Sequence, residues 1–419
     1  MLLLEQMFGE AMERVILHSD ANSFFASVEA ALDPSLKDKA VAVCGAVEER
    51  HGIVLAQSIK ARRAGVRTGM TVAEAKKCLP ELITVKPHYD MYANYSKELR
   101  RIYNDYAFKV EPFGLDECWL DLSTGIKTFK DGVFVAETLK EQVKRELDIT
   151  VSVGVSFNKI FAKLGSDLKK PDAVTLISPQ NYKKKIFPLP VNALFGVGRS
   201  TAAALRKYGI NTVGALAQCS PDFLRSALGK TGHTLWVYAN GLDYSPVLSE
   251  EERPPVKSVG NGMTPPADLK TDEEVHDFIL WLSLEVGRRL RAYGLVCRGV
   301  SLSLRDTNLA IKQYQVPLER ASDDSGDIAA AAYALFADRA GAPLPLRSLT
   351  VTAIGLSDVR APAQTDFFSD PNRGEKKSAL NRVMDAVCDR YGNNALLPAS
   401  LCGRGFVSHC TRPFAAVSP

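Results

Sequence analysis

The feature that most constrains this chain is the stretch Val110–Leu122, VEPFGLDECWLDL, in which an apolar run is interrupted by the adjacent acids Asp116 and Glu117. The residues on both sides favour β-strand, and Gly114 marks a sharp turn between them. The pattern therefore predicts a β-hairpin that holds two carboxylates near its tip. Adjacent carboxylates repel each other, and a hard divalent cation such as Mg²⁺ relieves that repulsion by binding their oxygens. Taken alone, an Asp-Glu pair in a turn is more often an ordinary acidic turn in solvent, and only a second acid in a matching setting favours a metal site.

A third acid, Asp20, occurs in a matching setting upstream. Val15–Asp20 has the pattern of a short buried strand that ends in a carboxylate, and Ala21–Ala31 has the pattern of a helix with Asn22 or Asp20 as its N-cap. A carboxylate at a strand end followed by helix amides suits a metal-bound phosphate, since the amides bind the phosphate. Two carboxylate clusters on neighbouring strands are the arrangement of two-metal phosphoryl-transfer sites. We therefore expect Asp20 to converge with the hairpin acids.

Four sequence strings give the chain a family resemblance. They are HSDANSFFASVE, GLDECWLDL, SVGVSFNKIFAKLGSDLKKP and LFGVGRSTAAALRKYGI. In this order and spacing they resemble the Y-family DNA polymerases, in particular the bacterial DNA polymerase IV branch, over about residues 14–400. The resemblance implies template-directed DNA synthesis from dNTPs with low fidelity, used for lesion bypass. A catalytically silent DNA- and clamp-binding accessory protein is the main alternative, and a two-metal cyclase or nuclease is a third.

The resemblance also implies a fold class and a domain order. The class is α+β, a right-hand polymerase with a ferredoxin-like palm, small fingers, a helix-hairpin-helix thumb and a separate α/β little finger. In the palm, alternating strands and helices predict a mixed sheet with helices on one side. The segment Tyr244–Thr264 is rich in proline and charge and is predicted to be an exposed linker. The expected domains are an N-terminal extension (1–13), palm (14–32 and 89–187), fingers (33–88), thumb (188–243), linker (244–256), little finger (257–360) and a tail (361–419). The tail is expected to hold a flexible peptide at 364–368 and then a short amphipathic helix, Glu375–Tyr391.

The resemblance assigns the metal-binding and catalytic residues. Asp20, Asp116 and Glu117 are expected to hold two Mg²⁺ ions per active site, and the backbone carbonyl of Ala21 completes one coordination sphere. In a two-metal site one ion lowers the pKa of the attacking hydroxyl and the other stabilises the leaving group. These residues carry the predicted nucleotidyl transfer.

The resemblance also assigns the nucleotide-binding residues. Phe24 and Phe25 start the helix beside the metal site, where one ring packs and the other, Phe25, lies under C2′ of the sugar and excludes a 2′-hydroxyl. Their alternative interpretation is that both rings are core. Arg62 and Lys170 are expected to contact the triphosphate, since a guanidinium binds phosphate in bidentate fashion and a lysine supplies a mobile charge.

One position departs from the family pattern. Three residues before Arg62 the family often has a tyrosine whose hydroxyl touches phosphate, and this chain has Ile59. Isoleucine cannot donate a hydrogen bond, so the contact is either missing or supplied by Lys60 or Gln57. The lysines of the string SFNKIFAK, Lys159 and Lys163, are interpreted as structural or DNA-facing.

Charge distribution points to DNA on one part of the chain. The net charge of the 419 residues is only +4, but residues 151–240 hold twelve Lys or Arg against three Asp, a net charge of +9 there. Such a basic stripe suits phosphate backbones. Within it, LFGVGRSTAAALRKYGI resembles a helix-hairpin-helix module, in which Gly196 and Gly198 let backbone amides approach DNA and Arg199 adds charge. Primer-template DNA and dNTPs are the expected partners.

The last predicted site is a short peptide, QTDFF, at 364–368. It resembles a bacterial sliding-clamp-binding peptide and assigns Gln364, Asp366, Phe367 and Phe368 to clamp binding. Eight cysteines without a CxxC pair are typical of a reduced, cytoplasmic protein. The apolar cluster at the N-terminus is too short to span a membrane, and we expect a cytoplasmic monomer.

Overall fold

The computed structural model describes residues 14–46, 52–338, 344–360, 371–392 and 395–409. The predicted N-terminal extension (1–13) and the predicted clamp-binding peptide (364–368) lie outside these residues. The described residues divide into two compact units: 14–44 with 54–253, and those of 254–409 with 45–46 and 52–53. Within the described ranges, no helix combines the length and apolar character needed to cross a bilayer.

The first unit contains two sheets and their covering helices. Its strands are β1 (Ile16–Ala21), β2 (Val41–Cys44), β3 (Val54–Gln57), β4 (Ile83–Val85), β5 (Lys109–Phe113), β6 (Glu117–Asp121), β7 (Val151–Ser156) and β8 (Val174–Ile177). Its helices are α1 (Phe24–Leu32), α2 (Ile59–Arg63), α3 (Val72–Cys78), α4 (Tyr89–Asn104), α5 (Phe129–Leu147), α6 (Lys159–Leu168), α7 (Tyr182–Ile186), α8 (Arg199–Lys207), α9 (Val213–Gln218), α10 (Pro221–Leu228) and α11 (Lys230–Ala239).

The larger sheet has the strand order β5-β6-β1-β7-β8, antiparallel except for the β7–β8 pair. Val151, Val153 and Val155 of β7 point to one face, where they pack in one core with α4 and α5. Helix α6 packs on the opposite face of β7. It approaches closely because Gly154 has no side chain; a Cβ there would lie 1.9 Å from Ala162 O. Helices thus cover both faces of the sheet, and the prediction of helices on one side is wrong.

The smaller sheet has the order β3-β2-β4, with β2 and β4 parallel, and α2 and α3 pack against it. A capping box between Thr71 and Glu74 begins α3: Thr71 Oγ1 accepts from Glu74 N at 3.2 Å, and Glu74 Oε2 accepts from Thr71 N at 2.8 Å. Helices α7–α11 share a separate core that also contains Phe161 and Leu164 of α6.

The segment predicted to be an exposed linker is only partly so. Val247 is fully buried and packs with Ile16, Trp119 and Ala162 on the α6 side of the larger sheet. Glu252 accepts from Lys109 Nζ at 2.7 Å. Farther along, Ser258–Met263 forms a strand, β9, and is not a linker. A single apolar side chain among prolines and charges gave no periodic signal of this packing.

The second unit is a four-stranded sheet backed by helices. Its further elements are α12 (Asp272–Ala292), β10 (Leu295–Asp306), β11 (Ile311–Ser322), α13 (Ser325–Asp338), β12 (Leu346–Asp358), α14 (Pro371–Tyr391) and α15 (Gly405–His409), and its strand order is β11-β10-β12-β9. Helix α12 begins with a capping box between Thr271 and Glu274. The apolar faces of α12 and α13 share one core with the sheet.

The described residues after 375 pack on this second unit. Arg291 of α12 donates to Asp385 of α14 at 2.6 and 2.9 Å. Leu401 is fully buried, and the Phe406 ring lies 5.0 Å from that of Phe278 and 5.9 Å from that of Trp281. The helix predicted at Glu375–Tyr391 is therefore present, as α14, and Leu401 and Phe406 belong to the core of the second unit.

Candidate active site

The predicted hairpin is present and brings the three acids together. Asp20, near the end of β1, lies directly opposite Glu117, the first residue of β6. Gly114 has φ +80° in the turn between β5 and β6, a conformation that glycine adopts readily. Asp116 follows in the same turn, and its carbonyl accepts from Ala21 N at 3.0 Å. Backbone pairing alone therefore fixes Asp20, Asp116 and Glu117 at one edge of the sheet.

These acids line a cavity of about 650 Å³ within the first unit. The predicted metal and nucleotide residues all line it: Asp20, Ala21, Phe24, Phe25, Arg62, Asp116, Glu117 and Lys170. The larger sheet supplies one wall, and β3 with α2 supplies another through Gln57, Ile59, Arg62 and Arg63. The cavity is thus acidic at the sheet and basic at α2, which suits a molecule that carries phosphates and binds cations.

Burial and mutual repulsion shape the acidic wall. Burial, together with the neighbouring charges of Asp20 and Glu117, raises the pKa of Asp116 to about 7. Burial also raises the pKa of Asp20, although Lys170 acts in the opposite direction. Carboxylates that resist ionisation because they share a partly buried site favour a divalent cation among them.

Two lysines contact the other two acids. Lys170 Nζ lies 2.7 Å from Asp20 Oδ2 and 2.9 Å from Asp167 Oδ1. Burial alone acts to lower the pKa of Lys170, but these two carboxylates outweigh it and leave the pKa raised. Lys163 Nζ donates to Glu117 Oε2. Across the described ranges no set of three acid, histidine or cysteine side chains already forms a metal-binding cluster, and lysines hold two of the three carboxylates.

His18 is a site residue that the sequence analysis missed, and Lys163, interpreted there as structural or DNA-facing, lines the cavity and contacts Glu117. His18 is fully buried, with Nδ1 2.9 Å from Ser166 Oγ and Nε2 3.1 Å from Glu117 Oε2. Burial lowers the pKa of His18. Burial acts to raise the pKa of Glu117, but its contacts outweigh that effect and lower it. The contact with His18 and the contact with Lys163 both lower the pKa of Glu117. The i, i+4 spacing of Lys163 and Asp167 on α6 was the available signal.

The two phenylalanines separate as expected. Phe24 is buried in the core of the larger sheet, and Phe25 is half-buried at the cavity. The Phe25 ring stacks on the Tyr92 ring, with centroids 4.1 Å apart and planes 11° apart. Tyr92 is fully buried. Tyr92 does not line the cavity itself; it packs behind the Phe25 ring, which does.

Comparisons with known proteins agree with this architecture. Residues 19–167 match the impB/mucB/samB family, residues 256–367 match the C-terminal domain of that family, and residues 192–243 match the thumb domain of DNA polymerase iota. DNA polymerase IV of Acetivibrio thermocellus is 46% identical over 381 residues, which cover 91% of this chain and 96% of that protein. The chain belongs to the Y family of DNA polymerases.

Other relatives place the chain within the family. DNA polymerase IV of Moorella thermoacetica is 38% identical over 392 residues, 93% of this chain and 97% of that protein. A solved structure of a Y-family DNA polymerase chimera shares the fold with a TM-score of 0.74 and 23% identity, covering 82% of this chain and 99% of that chain. These matches confirm the predicted family, its DNA polymerase IV branch, the right-hand fold and the class of enzyme, a DNA-directed DNA polymerase whose family function is translesion synthesis.

The wall formed by β3 and α2 shows how this Y-family chain departs from the pattern at Ile59. Ile59 and Arg62 both line the cavity. Of the two substitutes considered, Lys60 Nζ donates to Asp38 O at 3.2 Å, whereas Gln57 lines the cavity and its Oε1 accepts from Thr68 Oγ1 at 2.9 Å. Gln57 is therefore the better placed of the two to replace the absent hydroxyl.

The loop between β1 and α1 differs from the prediction. Ser23, with φ 51° and ψ 44°, is the N-cap of α1, so the prediction of Asn22 or Asp20 is wrong. The Asn22 side chain is used elsewhere: Nδ2 donates to Ser152 Oγ at 2.9 Å, and Oδ1 accepts from Asp172 N at 2.8 Å. Asn22 thus fixes the Asp20 loop to β7 and to the loop that carries Lys170.

The predicted DNA-binding residues are exposed at the start of α8. Gly196 has φ +86°, as a sharp hairpin requires, and Gly198 is the N-cap of the helix that Arg199 begins. A Cβ on Gly198 would meet no atom within 4 Å, so its backbone is open to solvent. The geometry is compatible with an approaching phosphate and leaves the role of these residues a prediction.

Proposed function

We propose that Asp20, Asp116 and Glu117 are the catalytic carboxylates of this polymerase and hold two Mg²⁺ ions, with the carbonyl of Ala21 as a further ligand. The observation that carries the proposal is the convergence of these acids at one end of the cavity, where burial and repulsion raise the pKa of Asp116 to about 7. The donor set fits the ion, because Mg²⁺ prefers carboxylate oxygens and commonly bridges protein carboxylates and substrate phosphates. When bound, Mg²⁺ would lower the pKa of the attacking hydroxyl and stabilise the leaving phosphates.

The reaction joins the primer 3′-oxygen to the α-phosphorus of a dNTP and releases pyrophosphate. The chain's own contribution is to orient the reactants and balance charge. Lys170 and Arg62 lie on different walls of the cavity and are positioned to bind the triphosphate between them. Lys170 would then exchange its contact with Asp20 for a phosphate oxygen, which frees Asp20 for a cation.

Sugar selection belongs to Phe25 in this proposal. Its ring lies at the cavity surface, while Phe24 packs inward. A ring held under C2′ leaves no room for a 2′-hydroxyl, so dNTPs bind and rNTPs are excluded. Steric exclusion of this kind acts without any hydrogen bond to the sugar.

The remaining assignments concern partners. We propose that Gly196, Gly198 and Arg199 bind the DNA backbone through exposed amides and charge. The peptide at 364–368 is proposed to bind a bacterial sliding clamp, on sequence alone. A monomeric state, cytoplasmic location and the domain limits given above stay predictions, and size-exclusion chromatography with light scattering tests the first of them.

The test of the catalytic carboxylates is primer extension by purified Asp116→Asn. We expect extension to fall below detection while primer-template affinity stays within about twofold of wild type, because the loss of one cavity acid leaves the DNA-binding surfaces intact. Asp105→Asn, at an exposed position, is the matched control and should extend normally. Extension by Asp116→Asn at the wild-type rate would refute the assignment.

A further inference from the structure

The ring that is proposed to select the sugar has its orientation set by a second ring. Phe25 stacks on Tyr92 at 4.1 Å with nearly parallel planes, and Tyr89 lies edge-on to Phe25 at 6.1 Å. Tyr92 is fully buried, whereas Phe25 is not. The half-buried Phe25 ring therefore depends on the buried Tyr92 ring for its orientation, since the two rings are in stacking contact.

The buried ring is in turn held by a carboxylate. The Tyr92 hydroxyl donates to Glu29 Oε1, and Glu29 is only 4% exposed. Glu29 lies four residues after Phe25 on α1, so the two side chains share one face of that helix. Burial and the contact with Glu29 raise the pKa of Tyr92 far above its usual range, so the hydroxyl stays a donor.

One further group supports Glu29 from the solvent side. His88 Nδ1 lies 3.0 Å from both oxygens of Glu29, and the His88 side chain is 61% exposed. A buried carboxylate is unfavourable unless it is hydrogen-bonded or paired. An apolar side chain could fill the same space without that requirement, so what the carboxylate supplies is the hydrogen bond to Tyr92 rather than packing volume.

We propose that Glu29 is a positioning residue for sugar selection: by anchoring the Tyr92 hydroxyl it fixes the Tyr92 ring and, through the stack, the Phe25 ring. The inference rests on the proposed role of Phe25. Without the anchor, the Tyr92 ring can tilt, Phe25 follows it, and the space under C2′ widens enough to admit a 2′-hydroxyl. The turnover of dNTPs is little affected, because a dNTP has no 2′-hydroxyl that Phe25 must exclude.

A purely structural role for Glu29 makes a different prediction. A hydrogen bond that only stabilises the fold would change the turnover of dNTPs and rNTPs by the same factor. A positioning role changes the ratio of the two. The decisive quantity is therefore kcat/KM for a dNTP divided by kcat/KM for the matching rNTP, measured in single-nucleotide primer extension.

The experiment compares Tyr92→Phe with Tyr95→Phe. The first variant removes one oxygen and keeps the stack. The second makes the same chemical change one turn along α4, at a residue outside the stack. We expect the selectivity ratio to fall about fivefold in Tyr92→Phe, the factor that corresponds to one net hydrogen bond, and to stay at the wild-type value in Tyr95→Phe. Glu29→Ala should lose at least as much, and Glu29→Gln, which keeps an acceptor oxygen, should retain most of the selectivity.

Phe25→Ala separates this inference from the proposal on which it rests. If Phe25→Ala admits rNTPs but Tyr92→Phe and Glu29→Ala keep the wild-type ratio, Glu29 has no positioning role and the inference is wrong. If Phe25→Ala itself keeps the wild-type ratio, the assignment of Phe25 fails and the role of Glu29 fails with it. Tyr92→Phe alone decides the matter should Glu29→Ala not fold.

Discussion

Asp20 on β1 and Glu117 on β6 lie directly opposite each other in a pair of antiparallel strands, so two carboxylates face each other at the ends of these strands. Like charges in such a pair destabilise a sheet. Lys170 and Lys163 offset the repulsion, each by a contact with one of the two acids. Within the described ranges Asp116 has no ion-pair partner of its own. Repulsion from Asp20 and Glu117 therefore adds to burial in raising the pKa of Asp116.

The first prediction concerns the stability of Asp116→Asn without metal. The pKa of Asp116 is raised to about 7 in the folded protein, so the folded protein holds this proton more tightly than the unfolded chain. Folding stability is therefore lost as pH rises from about 4 to about 7. At pH 8 the variant should be more stable than wild type by roughly 2 kcal/mol. This is less than the free energy that corresponds to the whole pKa shift, because the Asp116 side chain is partly open to solvent.

The measurement is chemical or thermal unfolding of both proteins in EDTA between pH 5 and pH 8. The stabilisation should shrink toward pH 5, where the wild-type side chain is itself protonated. Asp105→Asn, an exposed carboxylate, should show no such trend. If the variant is no more stable than wild type at pH 8, the pKa of Asp116 is not raised by burial and by repulsion from Asp20 and Glu117.

The second prediction concerns the close approach of α6 to β7. A Cβ on Gly154 would lie 1.9 Å from Ala162 O and 2.6 Å from Ser166 N, both backbone atoms that cannot rotate away. Gly154→Ala should destabilise the protein by at least about 3 kcal/mol, as overpacking against backbone does. Gly125→Ala is the control, since its Cβ meets no atom within 4 Å. Equal urea midpoints for the two variants would show that α6 does not lie where we place it.

The third prediction concerns a partly buried ion pair. Lys159 Nζ lies 2.6 Å from Glu111 Oε1. Glu111 Oε2 also accepts a hydrogen bond from Leu248 N at 2.8 Å. Lys159→Met leaves the Glu111 charge without its cation and should cost about 3 kcal/mol of stability. Lys109→Met breaks the more exposed pair with Glu252 and should cost less than about 1 kcal/mol. Similar losses in the two variants would mean that the first pair is not buried.

The fourth prediction concerns Asn22. Its buried side-chain amide donates a hydrogen bond to Ser152 Oγ and accepts one from Asp172 N. Asn22→Ala leaves these groups without partners and should cost about 2–3 kcal/mol. Because Asp172 belongs to the loop that carries Lys170, the KM for dNTPs should also rise. Steady-state extension kinetics and urea unfolding measure the two effects. Asn211→Ala, which removes an exposed bond to Gly209 O, is the control and should change neither.

The parts of the fold that the sequence predicted are those set by local rules. The apolar run before Asp20 identified the strand that became β1, and the glycine before two acids identified the hairpin turn. Strand pairing then brought Asp20 to Glu117 without any further information. Family resemblance supplied the candidate roles that local rules could not, such as that of Phe25.

The parts that the sequence did not predict depend on long-range packing. Lys163 reaches Glu117 only because α6 lies against the face of the sheet opposite to α4 and α5, and no periodicity reveals which face a helix covers. Asn22 is a good N-cap residue by propensity, yet its side chain is committed to Ser152 and Asp172, and Ser23 takes the cap position instead. Val247 is one apolar residue in a charged segment, and its burial follows from the shape of the sheet beneath it.

The packing of Leu401 and Phe406 on the second unit has a practical consequence for anyone who shortens this protein. A variant that ends at the last strand would remove the cover from the rings of Phe278 and Trp281. Newly wetted aromatic surface of this kind promotes self-association. Loss of solubility on trimming would thus report a missing piece of the domain and say nothing about the polymerase chemistry.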